Sequence, residues 1–448
     1  MSELQSAGQV DIQEATIVLL DKSGIKQTES IIDMIAQVNI IEDLFEGPVT
    51  CSVVLAESKG ALTRFNKKGF QGQEFLFLRL KKPGDSGVTS LSQQFWIYDV
   101  TDIEFNTTND TASLTLNCIS KEKIIDVYSS VNKAFNGTYS DAAKNIFENQ
   151  IVNSGVRKKY LKDYGEYTFD IPKLNIHESP AEQKFIIPGK QPFEAIEFCM
   201  RRIFGRTGGV ETSGNFFTFY ELCNGGYNFH NVENLIDEGK KRLEADEDGD
   251  YHFEMAPMAD KTKNVNFDRK IKEFSDIKTT NNLENANGGV LKNKVRTVDM
   301  VGKTYFDIEY DYKTKFNQFR HLGSTPLIDD DYVDMFAQSN YEFLVLKDTT
   351  KENQYYEYVV GHRLPYISVL HNLQCSFSID GDFKMKPGVV LNLRVPEISA
   401  TTENPAERFD TKFSGNWLIS RVSHSFNKNQ HSTSVSLLKD SLIEAIGD

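Results

Sequence analysis

The sequence predicts an α+β protein dominated by β-structure: two similar β-barrel or sandwich modules carrying α+β insertions. Three observations predict it. First, one segment occurs twice. Trp96 and Trp417, the only tryptophans, lie 321 residues apart; at that spacing Phe105 meets Phe426, Asn106 meets Asn427, Ser113 meets Ser434 and Leu116 meets Leu437. Second, the first 120 residues alternate apolar and polar positions between turn signals, the mark of half-buried strands. Third, the pattern turns helical around Lys121, and strands return beyond about residue 290. A module repeated at long range implies two like domains in one subunit. Such a subunit can imitate a ring of twice its own copy number.

The elements follow in order. Ala15 to Leu20 and Asp33 to Ile41 read as strands, and Val49 to Leu55 follows the turn at Gly47-Pro48. Glu74 to Leu80 alternates and stops at Pro83-Gly84, a turn signal. Ser86 to Gln94 reads as a polar loop. Phe95 to Phe105 is a long strand, bulged near Thr101 where the apolar face switches. After the turn at Asn106 to Asp110, Ala112, Leu114 and Leu116 alternate with Ser113 and Thr115. These strands make a first module over residues 1–120.

Residues 121–264 read as a mixed α+β insertion. Ser140 can cap a helix carrying Ala143, Ile146, Phe147 and Ile151. Pro192 opens another, with Phe193, Ile196, Met200 and Ile203 on one stripe and Gly205 at its end. Asn215 to Leu222 is a strand, and Leu243 to Asp250 an acidic loop. The second module is expected from 265–312 and 355–448, split by an irregular insertion at 313–354. Its first part holds a hairpin of Val290 to Val298 with Thr304 to Tyr312. Its second part opens with a helix at Tyr355 to Leu370, bent by Gly361 and Pro365. The strands Leu373 to Ile379 and Val389 to Val395 follow, then the Trp417 hairpin and a short C-terminal helix, Ser441 to Ile446.

At 448 residues the chain has room for two to four domains. It has no apolar run long enough to span a membrane, and its N-terminus lacks the basic head and apolar stretch of a signal peptide. The five cysteines, 51, 118, 199, 223 and 375, are scattered, and read as reduced core residues. The net charge of −14 argues against gripping a nucleic-acid backbone, which needs concentrated Lys and Arg. It permits contact with DNA in passage, because a wall that repels phosphate does not hold it.

No catalytic, cofactor or metal site is expected. Asp246, Asp248, Asp250 and Glu254 resemble a calcium loop, but the glycine falls at 249, away from the required position. Asp329 to Asp331 reads as a solvated turn or helix start. His362, His371, His424 and His431 lie on different elements, as polar surface or satisfied strand positions. Cys199 sits among core positions of an apolar helix, a poor place for a thiol nucleophile. Trp96 and Trp417 read as core or rim aromatics. The Ser/Thr faces of 111–115 and 432–436 fit either solvated strands or edges that join neighbouring barrels into one sheet.

The chain resembles the central baseplate hub subunit of contractile-tailed, T-even-like phages. The stretches that carry the resemblance are GQEFLFLRLKKPG with FWIYDVTDIEFN, IIPGKQPFEAIEFCMRRI with NFFTFYE, and VRTVDMVGKTYFDIEYDY. SIDGDFKMKPGVVLNLRVPE and GNWLISRVSHSFNKNQHSTSVSLLKD complete them. It is also similar to the N-terminal half of type VI secretion spike proteins. The resemblance implies a non-enzymatic homotrimer with two tube-like barrels per subunit, made in the host cytoplasm and placed in the tail baseplate of the virion. It implies a symmetry adaptor between a six-fold tail tube and a three-fold spike, around a channel through which DNA passes. The implied partners are a separate spike or needle protein, a tail tube or tube-initiator protein and baseplate wedge proteins, with no stable membrane insertion. A hub of a phage-derived contractile injection system is the alternative. A tail-associated cell-wall hydrolase would need paired carboxylates, a metal or a Cys/His set, and the sequence shows no such constellation.

Overall fold

Alternation makes strands where turn chemistry interrupts it. The computed structural model describes residues 8–57, 69–82, 90–106, 111–180, 183–203, 206–207, 210–211, 216–246, 249–255, 271–336, 342–347, 359–396, 409–427 and 430–443. The first strands are β1 (Asp11–Leu20), β2 (Ile25–Ser30), β3 (Ile35–Asp43), β4 (Thr50–Glu57), β5 (Phe75–Lys81), β6 (Ser90–Asn106) and β7 (Thr111–Ser120). A helical region follows, interleaved with β8 (Val131–Gly137), β9 (Leu174–Ile176), β10 (Gln183–Lys190), β11 (Arg206–Thr207), β12 (Val210–Glu211), β13 (Phe217–Leu222) and β14 (Gly226–Asn231). Then come β15 (His252–Glu254), β16 (Glu273–Lys278), β17 (Lys292–Asp299), β18 (Thr304–Asp311), β19 (Thr325–Pro326) and β20 (Glu342–Lys347). The last are β21 (Leu373–Asp380), β22 (Val390–Arg394), β23 (Gly415–Asn427), β24 (Gln430–Lys439) and β25 (Ser441–Leu442). The fold is α+β and β-dominated.

One large sheet organises the chain. Its order is β16-β21-β24-β23-β3-β4-β7-β6-β5-β1-β2, with β22 beside β23 and β15 beside β22. Two strand groups of the same order lie in it. The first reads β3-β4-β7-β6-β5-β1, and the second reads β16-β21-β24-β23-β22-β15. Each centres on a hairpin, β6–β7 or β23–β24. Each hairpin carries a bulge at its base, between Ile97 and Asp99 in one and between Ile419 and Arg421 in the other. The groups differ at the outer strand: β1 runs antiparallel to β5, whereas β15 runs parallel to β22.

Each group curls around its own apolar core. Val38, Ile40, Val53, Leu76, Leu78, Ile97 and Leu116 pack in the first, and Cys375, Phe377, Leu391, Leu393, Trp417, Ile419 and Leu437 in the second. The helical region makes a third core, in which Ala143, Ile146, Phe193 and Ile196 meet Phe219 and Tyr227. Pro192 stands in the first turn of its helix, as expected; the earlier helix is capped by Thr138 instead of Ser140. Thr138 Oγ1 accepts from Asp141 N at 3.0 Å, which closes a capping box. Gly205 lies outside the described residues.

Several expected boundaries move. The hairpin β17–β18 leaves the second module and pairs with β20 in a separate sheet. Its charges explain this. Lys292, Lys294 and Arg296 face Asp311, Glu309 and Asp307 across the hairpin at 3.2, 3.4 and 2.9 Å, a ladder suited to an open face and not to a core. The segment expected as irregular holds β19, β20 and the helices Tyr312–Phe316 and Asp330–Phe336; Asp329 Oδ1 accepts from Asp331 N. Val359–Arg363 is a π-helical turn leading into the helix Leu364–Leu370. Ser441–Leu442 is a strand against β19, not a helix. It is fixed by buried Asp440, which accepts from Leu322 N at 3.0 Å and lies 2.8 Å from His321 Nδ1; residues 444–448 lie outside the described ones.

The polar loop expected before Phe95 is strand from Ser90 onward, because its glutamines find partners. Gln94 Nε2 donates to Thr168 O at 2.8 Å, and Gln93 Nε2 donates to Glu221 Oε1 at 2.7 Å. Glu221 also accepts from Ser120 Oγ at 2.9 Å and Val49 N at 3.0 Å, so one buried carboxyl ties the helical region to β6, β7 and the residue before β4. Burial, then the nearby Glu122, push its pKa up to about 7.

A raised carboxyl contributes stability that is full below its unfolded value of 4.5 and is lost as pH rises through about 7. The melting temperature of Glu221→Gln is therefore expected to vary less than that of the wild type between pH 5 and pH 8. An equal slope in both proteins contradicts the assignment. Trp417 is fully buried and Trp96 only half-buried. Trp417→Ala is expected to cost ~3–5 kcal/mol in chemical denaturation, and Trp96→Ala clearly less.

Candidate assembly surface

In β3, β4, β7, β21, β23 and β24 one set of side chains packs into a core, and the alternate set faces away from it. Along one row of that outer face every position is polar. Asp380 stands opposite Ser432, Ser432 opposite Ser425, and Ser425 opposite Asn39. Asn39 then stands opposite Ser52, Ser52 opposite Asn117, and Asn117 opposite Asp99. The row crosses β21, β24, β23, β3, β4, β7 and β6, and so runs through both groups without a break. It carries carboxylates at its ends and no Lys or Arg. Its side chains are half-buried or exposed. Short polar chains hold one another in place: Gln37 Nε2 donates to Asn39 Oδ1 at 3.0 Å and to Ser425 Oγ at 3.3 Å, and Asn117 Nδ2 donates to Thr101 Oγ1 at 3.1 Å.

The groups meet at β3 and β23, which pair antiparallel from Asp43 opposite Arg421 to Gln37 opposite Asn427. Beneath this seam lies a buried polar cluster. His424 Nδ1 lies 2.9 Å from His431 Nε2, and His424 Nε2 lies 3.7 Å from Glu42 Oε2. Glu42 also accepts from Cys223 N at 2.6 Å. Phe383 and Phe426 stack on His431, with ring centroids at 4.6 and 4.3 Å. Burial, then the neighbouring His424, hold the His431 pKa well below its ordinary value. The cluster leaves no room for an added methyl group. Gly381 N donates to His431 O at 2.9 Å, and a Cβ on Gly381 would stand 2.0 Å from the His431 ring.

The repeated residues do not all take equivalent places. Strands matched by their partners put Trp417, opposite Leu391 in the second core, where Phe95 stands opposite Leu76 in the first. Trp96 corresponds to Leu418; it packs against the helical region's core. The ungapped match slips by one residue here. A second bulge in β6, between Thr101 and Glu104, corrects the slip further on. Phe105, opposite Ala112, then corresponds to Phe426, opposite His431, and Asn106 to Asn427. In the returning strand Leu116 takes the place of Val435 and Cys118 that of Leu437, because the second hairpin turn is shorter. Cys51 and Cys375, opposite Cys118 and Leu437, are also equivalent, a correspondence that the ungapped match at constant spacing does not reach. Leu116 and Leu437 are fully buried, while Asn106 and Asn427 are exposed.

Burial pushes the Cys199 thiol up to about 12, which keeps it protonated and unreactive at neutral pH. Among the described residues no group of three or more His, Cys, Asp or Glu could hold a metal ion, and no helix is long and apolar enough to cross a membrane. Asp248 lies outside the described residues. Asp246 Oδ1 and Oδ2 accept from Asp250 N and Tyr251 N at 2.9 and 2.8 Å.

Gly381→Ala is expected to destabilise the protein by ~1–3 kcal/mol through overpacking against His431. Thermal or chemical unfolding reads this directly, and an unchanged midpoint contradicts the close contact of Gly381 with that ring.

No family model and no curated protein sequence matches the chain. Solved structures do match it over nearly its whole length. The tail protein from Neisseria meningitidis MC58 is 10% identical with a TM-score of 0.50, over 95% of this chain and 96% of that one. The 43 kDa tail protein of prophage MuSo2 from Shewanella oneidensis is 9% identical with a TM-score of 0.51, over 96% of this chain and 99% of that one. The chain thus has the same fold as these two tail proteins.

Proposed function

We propose that the chain is the hub subunit of a contractile phage tail baseplate, a structural protein that acts through broad interfaces. Three copies form a ring. Each copy contributes two strand groups, so the ring presents six similar positions to a six-fold tail tube and three to a spike. The outer polar face of the sheet lines the channel, and DNA passes through it without being held. Spike or needle, tube or tube-initiator, and wedge proteins are the partners of this reading.

The observation that carries the proposal is the polar row from Asp380 to Asp99. A binding face for nucleic acid gathers Lys and Arg to neutralise phosphates. A conduit needs the opposite: short side chains, hydrogen-bonding capacity for water, and no cation. The positions of the row have these properties across both groups; among the described residues the one cation paired with it is Lys272, on Asp380 at its end. The shared order of the groups supports the six-fold imitation, because equivalent modules can take equivalent places in a ring. The fold shared with two tail proteins supports the setting.

Light scattering and native mass spectrometry on the purified chain test the reading. A stable trimer is expected at micromolar concentration, with more than ~2,000 Å² buried at each contact. A monomer under those conditions contradicts it. Ser425→Lys combined with Ser52→Lys is expected to leave the trimer intact and to create retention of double-stranded DNA at low salt that the wild type lacks.

A further inference from the structure

The seam inside one chain has an unfilled counterpart at each end of the sheet. β23 pairs with β22 only near its base, from Gly415 to Leu418; its outer half, Arg421 to Asn427, receives β3. β6 corresponds to β23. It pairs with β5 only from Ser90 to Trp96, and among the described residues no strand pairs with the same edge of its outer half. Likewise β16 corresponds to β3. Both lie beside the equivalent strands β21 and β4, yet β16 ends the sheet with no second neighbour among the described residues. One chain therefore carries the two halves of a seam it uses once internally.

The exposed side chains fit this. Phe426 crosses the internal seam: it stands opposite Val38, is 1% exposed, and packs in the core of the first group. Its equivalent, Phe105, is 66% exposed. Tyr98 and Ile103 on the same strand, and Ile277 on β16, are also exposed. Phe274 on β16 stands where Val38 stands on β3, packed against the second core and half-buried. An aromatic in a solvent-exposed place, whose twin is fully buried at a pairing seam, lacks only the other half of that seam.

We propose that β16 of one copy pairs antiparallel with the outer half of β6 of the next, and that Phe105 enters the neighbour's second core as Phe426 enters the first. The partner is a second copy of this chain. The register follows from the internal seam. Phe105 falls opposite Phe274, Glu104 opposite Ser275, and Asn106 opposite Glu273, as Phe426, Ser425 and Asn427 fall opposite Val38, Asn39 and Gln37. The contact is heterologous, so it closes into a ring or continues as a filament. Closure at three copies is where this inference rests on the hub reading above.

The experiment uses the full chain, with mass read by light scattering across a concentration series. Phe105 is exposed, so Phe105→Asp is expected to leave the folded subunit's circular dichroism unchanged and to raise the assembly's dissociation constant at least tenfold. Asn106→Glu places a carboxylate opposite Glu273 and is expected to weaken assembly several-fold. Adding Glu273→Lys to it is expected to restore assembly, which only the stated register explains. A wild-type trimer that Phe105→Asp and Asn106→Glu leave intact overturns this interface and leaves the hub reading standing. A wild type that stays monomeric overturns both.

Discussion

Antiparallel pairing of β3 with β23 makes one sheet out of two strand groups. Without it the groups are separate small barrels with separate cores. With it they share one polar face and a fixed relative rotation. The seam is held on both sides. Backbone pairing and the Gln37, Asn39 and Ser425 side chains hold the outer face. Phe426, His424, His431 and Glu42 fill the buried one. A buried cluster of this kind specifies a register, because a slip of one residue would turn His424 and Phe426 out and bring Ser423 and Ser425 in.

The alternation of the first 120 residues, the Pro192 helix, the strand ending at Leu222 (expected from Asn215, which lies outside the described residues, and found from Phe217) and the hairpin after Trp417 were all legible in the sequence, because each rests on local periodicity and turn chemistry. The equivalence of residues was less so. A single extra residue in β6 and a shorter turn before β24 displace a constant-spacing match, so the two tryptophans coincide in sequence but face different cores. The bulge near Thr101 was readable from its switched apolar face; its effect on register needed the partner strand.

Other misplacements share a cause, namely partners distant in sequence. The strand at Ser90 to Gln94 forms because Thr168 and Glu221 supply acceptors to its glutamines. The hairpin of β17 and β18 has a regular apolar face, yet its charge ladder and its pairing with β20 keep it out of the large sheet. Of the polar row, the Ser/Thr faces were visible in the sequence. Their continuation through Asn39 and Ser52 into one row was not, since it depends on the β3–β23 seam.

If each subunit fills two equivalent places in one ring, the ring's own symmetry must show it. Electron microscopy of the purified full-length assembly, viewed down its axis, reads that symmetry. The expected image is a closed ring with exact three-fold symmetry, six similar lobes at the inner wall and an open centre. A ring with three lobes, or an assembly whose two strand groups lie at different radii, would contradict the equivalence of the two places.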